Sequence, residues 1–409
     1  MRDILPPESG RWRRFTAVFA DVVEAAGYQQ LIPPLLEDLG VFTRIGDATD
    51  VVTKEMYDFV DKGERRVALR PEQTASVCRA FAEHRPAVLP WKVFYSGPNF
   101  RYEKPQRGRY RQFDQVGIEV LGVDDPMLDV EVIALGWEFY RSLGLQQVSL
   151  IVNSLGDPED RERYVEALRT HFETAGDALS EQSRMTLAKN PLRVLDSKRE
   201  PDLEFIASAP QIADFYSAVA AEHFEQVQAG LRALGIPFTV EPKLVRGLDY
   251  YRSTIFEYQG GTFESAQNGL GGGGRYDGLV EALGGPPTAG IGFALGVDRT
   301  LLACDDEGCF DAEAPVLDAY VVDVTGGLEA LAITAELRAA GLNADRSFDN
   351  RSMKAQMKQA NRSDAGFALI VGEQEAADGT IVVKPMSGGD QQTIPRTELI
   401  AHLSGTTDR

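Results

Sequence analysis

Hydrophobic and polar positions recur at helical spacing near the start of the chain. Apolar residues fall three or four positions apart from Trp12 to Ala26, and Gly27 follows as a residue suited to end a helix. The next apolar run, residues 31–36, contains two adjacent prolines and is therefore predicted to be an edge strand or a strand at an interface. Core packing and a dimer contact both remain open for this run.

Alternation of apolar and polar residues predicts a long antiparallel hairpin further on. Residues 91–95 and 115–121 have the pattern of its two strands, and residues 101–111 form a polar, basic tip between them. A helix over residues 128–143, stopped by Gly144, and a strand over residues 148–152 follow.

Between residues 157 and 236 the pattern becomes helix-rich, which predicts an inserted helical module. Its predicted helices cover residues 161–174, 206–221 and 224–234. Strands then return, and a helix beginning near Val297 completes the first domain. These strands are predicted at residues 238–240, 254–258 and 290–295.

An acidic segment, residues 305–314, is predicted to be a linker. Beyond it strands and helices alternate, which predicts a mostly parallel sheet with helices on its faces. The predicted strands are 319–324, 343–346, 367–371 and 380–384, and the predicted helices are 328–340 and 353–360. We therefore expect two domains, residues 1–312 and 313–409.

Charge and cysteine content narrow the functional classes. The 409 residues carry a net charge of −20, which argues against nucleic-acid binding by bulk charge. Basic clusters at residues 101–111 and 346–358 nevertheless leave a local patch open. We expect no membrane segment, because neither a long apolar run nor a signal peptide is present. The three cysteines form no CxxC pair, which indicates a reducing cytoplasm.

The basic hairpin offers the first candidate chemistry. Arg101, Arg109 and Arg111 have the fork geometry that clamps polyphosphates, and Glu103 could accept a hydrogen bond from an amine. A solvated hairpin tip is the alternative interpretation.

Carboxylates upstream and downstream of this tip are further candidates. Gln115, Gly117 and Glu119 share one strand face, and the glycine would leave room there for a ligand, unless the strand simply lies at the surface. Glu72 and Thr74 suit capture of an ammonium group, or one of them could merely cap a helix.

Two glycine- and tyrosine-rich stretches suggest a site for an anion and a flat ring. Residues 244–251 read Leu-Val-Arg-Gly-Leu-Asp-Tyr-Tyr, and residues 271–278 read Gly-Gly-Gly-Gly-Arg-Tyr-Asp-Gly. Arg246 has apolar neighbours, so it needs an anion, which a ligand or Asp249 could supply. Small residues over 290–296 would leave a flat floor, with Arg299 beyond it. The four histidines show no spacing typical of a metal site.

With these motifs the chain resembles histidyl-tRNA synthetase, a class II aminoacyl-tRNA synthetase. Residues 244–251 and 273–277 resemble the two histidine-specific signatures of that family. Residues 27–37, 100–113 and 290–299 resemble class II motifs 1, 2 and 3.

The resemblance implies a role for each matching residue. Arg101 and Arg299 would hold the phosphates of ATP, Arg109 the far phosphates, and Glu103 the adenine side. Arg246 would stabilise the α-phosphate. The implied contacts of histidine are Glu72 and Thr74 at its amino group, Gln115 at its backbone, and Glu119, Tyr251 and Tyr276 around its imidazole.

The implied fold is an α+β catalytic domain with a mixed, mainly antiparallel sheet, a helical insertion over about residues 157–236, and a C-terminal α/β anticodon-binding domain. The implied reaction forms histidyl-adenylate from histidine, ATP and Mg²⁺, then transfers histidine to tRNA-His. A homodimer through the region around Pro34 is implied as well. The alternative is a paralogue without ligase activity, such as the regulatory subunit of ATP phosphoribosyltransferase.

Overall fold

Two compact units divide the chain, Met1–Ala312 and Glu313–Arg409. The computed structural model describes residues 1–44, 51–104, 106–195, 197–244, 250–263, 268–312 and 317–405, the side chains of Val51 and Thr53 aside. Within these ranges no helix has the length and apolar character that crossing a membrane requires.

The first unit contains helices and strands in a mixed order. In chain order they are α1 (Glu8–Ala25), β1 (Gln29–Gln30), β2 (Leu36–Asp38), α2 (Leu39–Thr43), β3 (Tyr57–Val60), β4 (Arg66–Leu69), α3 (Thr74–His84), β5 (Trp91–Phe100), β6 (Gln112–Leu121), α4 (Pro126–Ser142), β7 (Val148–Ser154), α5 (Pro158–Ala175), α6 (Glu181–Lys189), α7 (Glu200–Ala207), α8 (Ala218–Ala233), β8 (Thr239–Val240), β9 (Arg252–Gly260), β10 (Gly269–Arg275), α9 (Leu279–Ala282), β11 (Gly290–Gly296) and α10 (Val297–Glu307).

An eight-stranded sheet dominates this unit, with the order β1-β5-β6-β11-β10-β9-β7-β8. Its β1–β5 and β7–β8 pairs are parallel, and its other pairs are antiparallel. The predicted mixed, mainly antiparallel sheet is thus confirmed. The predicted hairpin is β5–β6, which is longer than expected because both strands continue toward the basic tip.

One face of the sheet is covered by helices. Phe15, Phe19 and Val23 lie four residues apart on α1 and are at most 1 % exposed, because they pack against α4 and the sheet. Gly27 has a φ of +85°, the left-handed conformation in which a helix commonly ends. The predicted first helix and its stop are confirmed.

The opposite face of the sheet is lined with tyrosines. Alternation along β5 sends Phe94 into the helix-covered core and Tyr95 to this second face. Tyr250, Tyr251 and Tyr276 join the same cluster, together with α3 and α9. This face carries the site described below.

The helical insertion lies between β7 and β8 and comprises α5 to α8. The single helix predicted over residues 206–221 is wrong, because α7 ends at Ala207 and α8 begins only at Ala218. Pro210 cannot supply a helical backbone donor, and the Ser217 hydroxyl accepts a hydrogen bond from Ala220 N as the cap of a new helix.

Two further expectations are corrected. Residues 31–35 form no strand, and the short strands β1 and β2 flank this proline-containing segment instead. The acidic linker expected over residues 305–314 begins too early, since α10 continues to Glu307. Asp305 there pairs with Arg11 on α1, with Oδ1 2.5 Å from Nη1.

The described part of the second unit, residues 317–405, contains a five-stranded sheet ordered β13-β12-β14-β15-β16. The elements are β12 (Ala319–Asp323), α11 (Leu328–Ala339), β13 (Ala344–Arg346), α12 (Met353–Arg362), β14 (Phe367–Val371), α13 (Glu373–Asp378), β15 (Thr380–Pro385), β16 (Gln392–Pro395) and α14 (Leu399–Ser404). The prediction of a mostly parallel sheet is wrong for the described residues, because the β12–β13 and β12–β14 pairs are parallel but the β14–β15 and β15–β16 pairs are antiparallel. The last two strands run antiparallel because a short turn joins them as a hairpin.

Candidate active site

A cavity of about 830 Å³ opens on the tyrosine-lined face of the large sheet. Its wall combines a hairpin, a helix start and glycine backbone. Gly271, Gly272, Ala294 and Gly296 contribute almost no side chain to this wall, so a flat group can approach the backbone closely. The floor of small residues expected from the sequence is therefore present.

Glu119 on β6 is a completely buried carboxylate. Its Oε1 accepts hydrogen bonds from the hydroxyls of Thr74 (2.6 Å) and Tyr95 (3.2 Å). Its Oε2 accepts one from the Tyr276 hydroxyl at 2.5 Å. Burial raises the pKa of Glu119 to about 8, although the three hydroxyls act in the opposite direction. The two carboxyl oxygens are thus held by α3, by β5 and by the residue that follows β10.

This environment predicts how stability depends on pH. The carboxyl has an ordinary pKa of 4.5 and a folded pKa of about 8. Between these pKa values the folded protein keeps a proton that the unfolded chain has lost. The contribution of this proton to stability is therefore fully present below the lower pKa and is lost as the pH rises through the higher pKa. Relative to Glu119→Gln, the wild-type free energy of unfolding should fall by about 1.4 kcal/mol per pH unit between about pH 5 and pH 8.

Urea unfolding of both proteins at several pH values measures this difference. A difference that does not change with pH would show that Glu119 keeps an ordinary pKa in the folded state.

Glu72 performs the capping function that the sequence left open. Its carboxylate accepts hydrogen bonds from Thr74 N (2.8 Å) and Ala75 N (3.0 Å), the first two backbone donors of α3. Glu72 also lines the cavity, and the Tyr250 hydroxyl lies 3.5 Å from its Oε2. Burial raises the pKa of this carboxyl. Capture of an ammonium group by Glu72 and Thr74 stays a prediction that this geometry permits.

Gln115 and Gly117 share the face of Glu119, as the alternation predicted. Gln115 lies on the cavity wall, and its Oε1 accepts a hydrogen bond from Asn99 Nδ2 at 2.8 Å. The space at Gly117 is not left for a ligand, however, because a Cβ there would lie 2.5 Å from the Tyr95 hydroxyl oxygen. The expectation of ligand space at Gly117 is wrong, since the glycine accommodates Tyr95.

The hairpin tip places Arg101, Glu103 and Arg109 on the cavity wall. Arg101 donates from Nε to Pro71 O at 2.9 Å, and its guanidinium lies 5.3 Å from the ring centre of Phe113. Arg109 Nη1 is 3.4 Å from Glu103 Oε2. Both arginines therefore keep donors near the cavity, as clamping of a polyphosphate requires.

Arg299, near the start of α10, joins the two hairpin arginines on the cavity wall. Burial lowers its pKa, and the charge of Arg109 lowers it further. In the described part of the chain its shielded Nε has no hydrogen-bond partner. A buried donor without an acceptor costs free energy, so binding of an anionic ligand by Arg299 stays a prediction that this geometry permits.

Some of the tyrosines line the cavity, and others lie behind the cavity wall. Tyr250 and Tyr251 line the cavity, with their ring centres 4.7 Å apart. Tyr276 and Glu119 lie behind the cavity wall, so direct contact of either with a ligand stays a prediction. It requires one of the hydroxyls around Glu119 to move.

Sequence reasoning did not single out Tyr95 or Asn99. Their positions follow from the hairpin register, which places Tyr95 opposite Gly117 and Asn99 opposite Phe113, and the sequence alone does not define that register. Arg246 and Asp249 lie in residues 245–249, outside the described residues. The described residues contain no group of three or more His, Cys, Asp or Glu arranged to hold a metal ion.

Comparisons with known proteins fit this arrangement of sheet and arginines. The profile described as Histidyl-tRNA synthetase matches residues 1–300, and the profile described as Anticodon binding domain matches residues 318–406. Together they define the class of this enzyme, an aminoacyl-tRNA ligase.

Individual relatives narrow this class. The chain is 45 % identical to a histidine–tRNA ligase of Listeria innocua, covering 100 % of this chain and 97 % of the relative. It is 47 % identical to one of Nocardia farcinica, covering 98 % and 96 %. The chain belongs to the histidyl-tRNA synthetase family.

Solved structures agree with this assignment. Apo histidyl-tRNA synthetase of Staphylococcus aureus has a TM-score of 0.83 and 37 % identity, covering 98 % of each chain. A Bacillus halodurans structure titled as an ATP phosphoribosyltransferase regulatory subunit/histidyl-tRNA synthetase has a TM-score of 0.63 at 19 % identity, covering 85 % of this chain and 91 % of that one. This second likeness is one of fold alone.

Proposed function

We propose that the protein activates histidine with ATP to histidyl-adenylate and pyrophosphate, then transfers histidine to the 3′ end of tRNA-His. The observation that carries the proposal is one cavity in which three arginines share a wall with tyrosines backed by the enclosed Glu119. The arginines suit a polyphosphate, and the tyrosine-backed end suits a small polar ring.

In the first step, the histidine carboxylate attacks the α-phosphate and pyrophosphate leaves. This reaction needs alignment and stabilisation of growing negative charge rather than a covalent enzyme intermediate. Arg101 and Arg299 would hold the phosphates and Arg109 the far phosphates, while Glu103 would contact the adenine. Arg246 would be the cation at the α-phosphate. Mg²⁺ would enter with ATP, because this ion commonly binds through substrate phosphates and few protein ligands.

The amino acid would lie at the tyrosine end of the cavity. Its ammonium group would donate to Glu72 and to the Thr74 oxygen, whose lone pairs can accept while its proton points to Glu119. Gln115 would contact the backbone of histidine. Tyr251, Tyr276 and Glu119 would read the two ring nitrogens. An amino acid without these nitrogens would leave buried polar groups unpaired, which supports strong discrimination.

The second unit supports binding of tRNA despite the net charge of −20. Lys354, Lys358 and Arg362 lie four residues apart on α12 and are exposed. Phe348 is 57 % exposed, and the guanidinium of Arg346 lies 4.5 Å from its ring centre. An exposed ring beside cations suits stacking on an unpaired base. We expect the affinity for tRNA to fall steeply with salt.

We also propose a homodimer through the segment around Pro34. Ile32 is 80 % exposed there, and Leu35 and Leu36 are nearly half exposed. Phe59 and Val60, on β3 of the small sheet that includes β2, are similarly exposed. Several exposed apolar side chains in one small region of the fold favour a protein contact.

An aspartate at position 32 tests this interface. Ile32→Asp should weaken self-association at least about 100-fold, because a charge would be buried without a partner. Sedimentation velocity at several concentrations measures the change. Val219→Asp on α8 is the control, since Val219 is 72 % exposed but lies on the helical insertion. Equal behaviour of both variants would place the interface elsewhere.

Pyrophosphate exchange with each amino acid in turn tests the proposed reaction. We expect exchange with histidine, ATP and Mg²⁺, little exchange with other amino acids, and none after chelation. Charging of tRNA-His then tests the second step. Absence of exchange by well-folded protein would contradict the ligase proposal and favour a regulatory paralogue.

A further inference from the structure

Arg275, the last residue of β10, is a buried cation. Its side chain is 1 % exposed and faces Asp129 on α4, which is fully buried. Arg275 Nη2 is 2.7 Å from Asp129 Oδ1, and Nε is 3.1 Å from Oδ2. The two side chains thus meet through one hydrogen bond, from Nε to Oδ2, and one close ion contact, between Nη2 and Oδ1, which together limit rotation of the guanidinium.

Further contacts leave Arg275 little freedom. Nη2 donates to Asp125 O at 3.1 Å, and Nη1 lies 3.1 Å from Asp124 Oδ1. His223 on α8 approaches the same Asp129, with Nε2 2.9 Å from Oδ2. The guanidinium therefore ties the end of β10 to α4, and Asp129 extends the connection to α8.

The next residue, Tyr276, points to the opposite side of the sheet. Its hydroxyl donates to Glu119 Oε2 at 2.5 Å, and its backbone N donates to Gly290 O at 2.9 Å. Asp277 accepts a hydrogen bond from Gly290 N at 2.8 Å. Three consecutive residues thus anchor to the helix layer, to Glu119 and to β11.

We propose that Arg275 and Asp129 are positioning residues that fix Tyr276, and through it Glu119, for selection of the histidine side chain. Arg275 is absent from the cavity wall, so it would act through its neighbour in the chain rather than on the substrate. A buried ion pair is weak evidence for a role in stability. Because Arg275 directly precedes Tyr276 in the chain, the Arg275–Asp129 pair can affect recognition of the histidine side chain. This inference rests on the proposed function.

Arg275→Lys is the first test, because lysine keeps the charge but has no Nε–H to donate to Asp129 Oδ2 while it also reaches Asp125 O. Kinetics of pyrophosphate exchange separate the two substrates. We expect the KM for histidine to rise about tenfold, with the KM for ATP within about twofold, since the phosphate arginines lie elsewhere. The double variant Arg275→Met with Asp129→Leu replaces both charged side chains by apolar ones. Because neither partner is left buried without the other, this variant should fold even if a single substitution does not.

Arg11→Lys is the matched control. Arg11 is also buried, at 4 % exposure, and pairs with Asp305 at 2.5 Å, but no tyrosine of the site follows it. We expect no selective rise in the KM for histidine there. The KM for histidine could rise equally in Arg11→Lys, or both KM values could change equally in the Arg275 variants. Either result would show that the Arg275–Asp129 pair only maintains the fold.

A crystal structure of the Arg275 variant provides a readout that does not depend on the reaction. We expect the Tyr276 hydroxyl to leave hydrogen-bond distance of Glu119. An unchanged contact together with an unchanged KM for histidine would overturn the inference. Failure of the wild-type protein to exchange with histidine would instead contradict the proposed function, because that result does not involve the pair.

Discussion

Replacing Glu119 by glutamine is expected to raise the KM for histidine about 100-fold and to leave the KM for ATP within about twofold. Above its pKa of about 8 the ionised carboxylate accepts from Thr74 and Tyr95 at one oxygen and from Tyr276 at the other, so the comparison with glutamine applies at alkaline pH. A glutamine amide offers one acceptor oxygen and one donor group, so at least one hydroxyl must reverse its hydrogen bond or lose it. The group that should read the imidazole would then be wrongly polarised.

Pyrophosphate exchange at varied histidine and ATP concentrations above about pH 8, where Glu119 is ionised, measures both constants. Glu83→Gln is the control, because Glu83 lies on α3 with Thr74 but is 62 % exposed. It should leave both constants unchanged. Equal weakening of both substrates in Glu119→Gln would indicate that Glu119 only maintains the fold.

Gly292→Ala is expected to lower the free energy of unfolding by about 3 kcal/mol and to abolish exchange with histidine. An added Cβ would overlap Glu119 Oε2 and the carbonyl oxygen of Ile118, both on the neighbouring strand β6. Backbone atoms cannot yield as a flexible side chain can, so β6 and β11 must separate. The shift would also displace the carboxylate from its hydroxyls.

Urea unfolding measures the loss of stability. Gly296→Ala is the control on the same strand, because the nearest atom to its added Cβ is Leu270 O at an ordinary 3.5 Å. Its free energy of unfolding should stay the same or rise slightly. Unchanged stability of Gly292→Ala would mean that β6 and β11 tolerate a wider separation.

The hairpin and the α/β unit were predictable because local pattern determines them. Alternation predicted β5 and β6, a continuous apolar run predicted β14, and periodicity with a following glycine predicted α1. The prolines near residue 33 and at residue 210 do not by themselves define the local structure. A proline shows that regular pairing is interrupted, but the surrounding apolar residues still follow a strand or helix pattern, so the length of the interruption depends on tertiary packing.

The enclosure of Glu119 could not be predicted from spacing. Its three hydroxyl donors lie 45, 24 and 157 positions away in the chain, on α3, on β5 and directly after β10, and the fold of the sheet with α3 brings them together. The Arg275–Asp129 contact spans 146 positions and has no local signature. The motifs contain many of the residues near the cavity. Which of these residues line the cavity and which lie behind its wall depends on how the strands pair in the sheet.

The strand order also constrains how the chain folds during its synthesis on the ribosome. β6 pairs with β5 at once, but its other neighbour is β11, where Gly290 meets Leu121. The whole helical insertion leaves the ribosome between these two strands. The insertion has a core of its own around Tyr164, Leu168 and Phe172, so it can form on local contacts. Until β11 arrives, the nascent sheet must carry β6 as an open edge, the kind of surface that chaperones protect from aggregation.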